Sequence, residues 1–81
     1  MLTTGNQLKA ARALIGMDQS DLAERAGVNV NTIRNMEASG IGPIAGRAQN
    51  VHLVQAALEA AGIEFLNHGQ PGVRVRKQAE A

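Results

Sequence analysis

The chain has 81 residues, 44% of them apolar, with one Phe, no Tyr, Trp or Cys, and a formal net charge of +1. That length gives one small core built from Leu, Ile, Val, Ala and Met, which excludes a large enzyme, and the lack of Cys excludes a disulfide, a thiolate metal site and a cysteine nucleophile. A domain of this size buries only about 60 to 65% of its unfolded surface, so oligomerisation is expected.

Taken in chain order, the first element is a helix over about 5–15. Thr4 followed by Gln7 fits a capping box, Leu8, Ala11, Leu14 and Ile15 recur at helical spacing, and Gly16 stops the run. Asp18 caps a second helix, whose Leu22, Ala23 and Ala26 form one apolar stripe while Asp21, Glu24 and Arg25 face water. Gly27 supplies a left-handed turn, and Asn29, two residues on, caps a third helix over 29–38. In that helix Ile33 and Met36 share a face, and Val30, Asn31, Arg34 and Asn35 occupy the remaining arc.

Residues 39–46 carry three glycines and a proline and read as an extended, flexible connector, with phosphate contact through its backbone N–H groups as the lesser alternative. Helix four runs from about Arg47 to Ala61, with Val51, Val54, Leu58 and Ala61 on one face and Gly62 as its stop. Beyond Gly62 the period becomes two: Ile63 and Phe65 alternate with Glu64, and Val73 and Val75 with Arg74 and Arg76. A two-stranded hairpin is marginal in water, so these strands either pair with those of a second chain or dock on the helices. Phe65, the largest apolar side chain, anchors the dimer interface or the hairpin's packing on helix four. The tail from Lys77 is expected to fray.

Residues 1–12 lack the apolar run of a signal peptide, and no stretch nears the roughly 18 apolar residues of a membrane span, so a cytoplasmic chain without membrane insertion is expected. His52 and His68 stand apart without convergent partners, Ser20 and Ser39 lack a base and orienter, and no phosphate-cradling glycine motif occurs. The expectation is a protein with no metal, no cofactor and no enzymatic role. The net charge is weak for a nucleic-acid binder, yet no Asp or Glu lies between Glu37 and Glu59, whereas Arg34, Arg47 and His52 fall in or beside that interval. One face can therefore be positive.

The stretch from Gln19 to Glu37 resembles the helix-turn-helix of the XRE family, which includes the lambdoid phage repressors and Cro. Ala23 is small where two helices cross closely, Gly27 sits at the turn, and Leu22, Val28, Ile33 and Met36 fill the wedge between the helices. Gln19 and the Arg12 with Glu37 pair also match family positions, and in the family that pair is an ion pair tying helix one to the end of helix three. The resemblance covers about residues 4–61. It implies a mainly α fold, a compact four-helix bundle with a central helix-turn-helix of the lambda repressor-like kind, followed by a short C-terminal β-strand pair used for dimerisation. The domains expected are 1–62 for DNA binding, 63–76 for the hairpin and dimerisation segment, and 77–81 for the tail. The chain departs from the phage pattern after Gly62, where strands stand in place of a fifth helix.

The resemblance further implies a sequence-specific transcriptional regulator, a repressor acting as a homodimer on a palindromic operator in double-stranded DNA. Its third helix would enter the major groove, with Val30, Asn31, Arg34 and Asn35 reading bases: Asn against adenine, Arg against guanine, Val against a thymine methyl. The family often has a polar residue where Val30 stands, which shifts part of the specificity to DNA shape. Gln19, Arg47, Gln49 and Asn50 would meet phosphates, and Asn29 would add a phosphate contact to its capping role. Ile63, Phe65, Leu66, Val73 and Val75 would form the dimer interface. Arg74, Arg76 and Lys77 suit either a second DNA contact or a half-buried strand. An alternative from another class is an antitoxin or anti-activator that holds a small protein partner, for example by strand addition.

Overall fold

The computed structural model describes residues 1–67 and 69–76; the expected fraying from Lys77, the proposed DNA contact of Lys77 and the position of His68 lie outside the described residues. Among the described residues the chain is mainly helical, with α1 (Gly5–Ile15), α2 (Gln19–Ala26), α3 (Val30–Glu37) and α4 (Ala48–Ala60), followed by β1 (Ile63–Leu66) and β2 (Gly72–Val75).

The helix ends follow local chemistry. The Thr4 hydroxyl accepts from the Gln7 N–H and the Gln7 side chain returns the bond to the Thr4 N–H, so the capping box is complete. Asp18 caps α2 by accepting from the Asp21 N–H at 2.7 Å, and Asn29 caps α3 by accepting from the Asn31 N–H at 2.8 Å. Between those two caps Gly27 takes φ 73°, a left-handed conformation that a Cβ would penalise, and the Val28 N–H reaches back to the Ala23 carbonyl. The reversal is therefore completed within three residues.

Leu8, Ala11, Leu22, Ala23, Ile33, Met36, Val54, Leu58 and Ile63 form the centre of the core. Each fully buried Leu or Ile contributes about 1.5 to 3 kcal/mol relative to exposure. Leu14 does not join them. It is 52% exposed because it is rotated by about 100° from Ile15, away from the line through Leu8 and Ala11 that faces the core.

The segment 39–46 is not extended throughout, since it starts as turns in which the Gly40 N–H donates to the Glu37 carbonyl and the Gly42 N–H to the Ser39 carbonyl, and it is pinned rather than free. The Ile44 N–H donates to the Thr3 carbonyl, Thr4 and Pro43 form an isolated antiparallel bridge, the Asn6 N–H donates to the Gly40 carbonyl, and Ser39 Oγ accepts from the Ala45 N–H. These bonds use backbone groups that a connector would otherwise leave to solvent.

The strands pair with each other inside one chain, antiparallel, with Ile63 opposite Val75 and Phe65 opposite Val73. Those four share one face of the hairpin, and its Ile63, Phe65 and Val73 are turned inward: β2 packs on α1 and β1 on α4. Ile63 is only 1% exposed, and Phe65 and Val73 pack partly buried against the same core. Ile63 is thus spent on the chain's own core, whereas Phe65 and Val73 keep part of their surface. A hairpin of two short strands is not stable by itself, and docking on α1 supplies what it lacks. Leu66 stays half-buried and Val75 is 41% exposed.

Candidate nucleic-acid interface

The α2–turn–α3 unit is held from behind by a small polar network. Glu37, at the end of α3, has a side chain only 5% exposed and receives Arg12 in a bidentate pair, Nε to Oε2 at 2.5 Å and Nη2 to Oε1 at 2.9 Å. Arg12 Nη1 also donates to the Met17 carbonyl at 3.0 Å, so the guanidinium spans α1, the α1–α2 turn and α3 at once. A buried carboxylate needs such partners, and here it has a third donor: Gln19 Nε2 meets Oε1 at 3.0 Å.

That third hydrogen bond changes the reading of Gln19. The spacing places it at the start of α2 as a phosphate ligand, but its half-buried side-chain amide is engaged with Glu37. The sequence signal was present in the demand of Glu37 itself, since one guanidinium does not saturate the acceptor sites of a carboxylate.

With Ile33, Met36 and Glu37 facing inward, the opposite arc of α3 is left to solvent. Asn31, Arg34 and Asn35 are all exposed on it, and Ala38, the C-cap residue seven positions after Asn31, continues the same face with no bulk beyond its methyl. Sequence reasoning missed Ala38 because a small residue at a helix end carries no polar signal. Val30 behaves differently from its three companions: it is half-buried and packs against the core, so it backs the helix more than it projects from it. Asn29 is exposed, and its Oδ1 is occupied by the cap. Arg34 Nη1 donates to Asn31 Oδ1 at 3.0 Å, joining two of the exposed side chains across one turn.

At the start of α4, Arg47 is the N-cap residue in extended conformation, yet its side chain makes no capping bond, and Arg47 and Gln49 are exposed while Asn50 is half-buried. A helix start without a side-chain cap keeps its first N–H groups for water or an anion. From Ala38 to Leu58 the only ionisable side chains are Arg47 and His52, and the nearest acid before them, Glu37, is neutralised by Arg12. On α2 the acidic Asp21 is paired with Arg25 at 3.2 Å. Uncompensated negative charge is thus kept off the stretch from α3 to Leu58.

Among the described residues no helix is long and apolar enough to cross a membrane. The family model described as helix-turn-helix matches residues 8–63, from α1 through the first residue of β1. No curated protein matches the chain.

Proposed function

The chain belongs to the XRE-type helix-turn-helix family of DNA-binding transcription regulators, and from that premise we propose that it is a sequence-specific repressor that binds a palindromic operator as a homodimer through α3. The observation that carries this reading is the exposure of Asn31, Arg34 and Asn35 on one arc of a helix whose other arc is locked to the core by Ile33, Met36 and the Arg12–Glu37 pair. A rigid helix that exposes amide and guanidinium groups is what major-groove readout needs. Val30 supports the helix and reaches a thymine methyl only with its remaining surface.

Arg47, Gln49 and Asn50, with the uncapped start of α4, hold the phosphate backbone, and Asn29 adds a contact through its side-chain amide. Gln19 fixes Glu37 and meets phosphate only if it leaves that partner. Cations are few, so one protomer neutralises only a handful of phosphates and tight binding needs two protomers together. Leu66, Val75 and the open strand edges are the parts of the hairpin still available to a second copy.

Selection from a randomised duplex pool followed by footprinting tests this. The expected result is an inverted repeat with half-sites about 34 Å apart, one turn of DNA, or a multiple of it. Equal affinity for every duplex at moderate salt would remove the proposal.

A further inference from the structure

We propose that a second copy of this chain docks on α1 across a two-fold axis at Ala10, with Leu14 of each copy entering a groove that Ile41 walls on the other. The inference rests on the homodimer reading above and gives that dimer its surface. Two apolar side chains find no place in the chain's own core: Ile41 is 88% exposed and Leu14 52%. Ile41 is held outward by its backbone. It stands between Gly40, at φ 57°, and Gly42; the Gly40 carbonyl accepts from the Asn6 N–H at 2.9 Å, and the Gly42 N–H donates to the Ser39 carbonyl at 2.9 Å. Turning Ile41 inward would break these bonds, so its exposure is fixed by the fold.

Beside Ile41 a groove of about 540 Å3 runs between α1 and the hairpin turn, with Asn6, Ala10, Pro71 and Val73 among its walls. Asn6, Ala10 and Leu14 recur at steps of four, so they lie along one side of α1 with Ala10 midway. When a second α1 is laid antiparallel on the first with the axis at Ala10, each Leu14 faces the Asn6 end of the other copy, where the groove opens. One rotation thus places both exposed leucines in both grooves, which is the self-complementarity that an isologous contact needs.

Charge favours the same occupant. An isologous contact sets a surface against itself, so an ionised group at its centre would meet its own sign. Among the described residues none that lines the groove is ionisable, and Ala13 and Leu14 extend that uncharged surface along α1. Lys9, exposed, stands at the margin, about 100° around the helix from Ala10. Elsewhere α2 exposes Glu24 and Arg25, α3 exposes Arg34, and Glu64 lies opposite Arg74 on the hairpin. An acidic or basic peptide would find no opposite charge in the groove, whereas a second copy brings an apolar side chain whose burial drives association.

Sedimentation velocity over a concentration series tests this, on the free protein and on the selected operator, for the wild type, Leu14→Glu, Ile41→Glu and Val75→Glu. All three side chains are exposed, so the fold is retained, and circular dichroism checks it. The wild type is expected to dimerise. Leu14→Glu and Ile41→Glu are each expected to raise the dimer dissociation constant by about 30-fold or more, and Val75→Glu to leave it unchanged. The chain has no Cys, so Ala10→Cys adds a single thiol at the axis and is expected to give a disulfide-linked dimer under mild oxidation, whereas Leu53→Cys on α4 is not. A dimer that Leu14→Glu and Ile41→Glu leave intact, one that Val75→Glu alone dissolves, or Ala10→Cys linking no faster than Leu53→Cys would each overturn this interface while leaving the homodimer. A wild type that stays monomeric both free and on the operator would overturn the homodimer reading and the interface together.

Discussion

Gln7, only 3% exposed, donates its side-chain amide to the carbonyl of Gly72 at 3.2 Å and so ties the first turn of α1 to the start of β2. The same side chain accepts at Oε1 from the Thr3 and Thr4 N–H groups, at 2.7 and 3.0 Å, and donates to the Leu66 carbonyl at 3.5 Å. One buried residue thus fastens the N-terminal segment, α1 and both strands. Replacing it with Ala takes this partner from part-buried backbone groups of Thr3, Thr4, Leu66 and Gly72, at up to about 1 to 3 kcal/mol each. Gln7→Ala is expected to lose about 2 to 4 kcal/mol in urea denaturation, with the hairpin amides losing hydrogen-exchange protection first. A loss of less than about 0.5 kcal/mol, the size of an ordinary surface change, would show that the node is not needed.

Two glycines should respond differently to the same substitution. A Cβ on Gly5 would stand 2.5 Å from the Met36 carbonyl oxygen and 2.9 Å from that of Glu37, both of them backbone atoms that cannot swing aside. A Cβ on Gly27 would meet nothing within 4 Å, but there φ is +73°. Gly27→Ala is expected to cost about 1 to 2 kcal/mol of left-handed strain. Gly5→Ala forces α1 away from α3 and is expected to cost more, about 3 kcal/mol. Denaturant midpoints of the two variants, measured side by side, check the order.

The caps were legible in the sequence, and they set the helices: Thr4, Asp18, Asn29, Gly16 and Gly27 all act locally, within a turn of their own position. Period two after Gly62 likewise identified the strands. What it could not say is where the apolar face of Ile63, Phe65, Val73 and Val75 would go, because alternation is the same whether the covering surface belongs to α1 or to another chain. The outer arc of α3 was legible for Asn31, Arg34 and Asn35. Val30, half-buried, sits at the boundary of the arc, where a few degrees decide between core and solvent. The engagement of Gln19 with Glu37 joins residues 18 apart and depends on a helix crossing that no local pattern encodes.

The Arg12–Glu37 pair gives a prediction that separates charge from packing. Glu37 has a side chain 5% exposed and Arg12 20%, so removing either partner strands the other in a poorly hydrated place. Arg12→Ala is expected to destabilise by about 3 to 5 kcal/mol, whereas the paired change Arg12→Met with Glu37→Met keeps volume and is expected to cost far less. Thermal melts of the two proteins decide the point. Equal losses would mean that the ion pair and its hydrogen bonds themselves, and not the avoidance of an uncompensated charge, carry the effect.

Arg47 and Asn35 should fail in different ways when shortened, since one is placed for phosphate and the other for a base edge. Arg47→Ala removes a cation whose side chain makes no capping bond, so affinity is expected to fall for every duplex alike. The dependence of log affinity on log salt should also become shallower, by about one for each phosphate that the variant no longer neutralises. Asn35→Ala leaves the charge unchanged, so the salt slope should hold while discrimination at one base pair falls by about 1 to 3 kcal/mol. Fluorescence anisotropy with the selected operator, its single-base variants and an unrelated duplex, over a salt series, measures both quantities. If Arg47→Ala altered the preferred sequence while keeping the slope, its guanidinium would have to lie in a groove, and the start of α4 would be part of the reading surface.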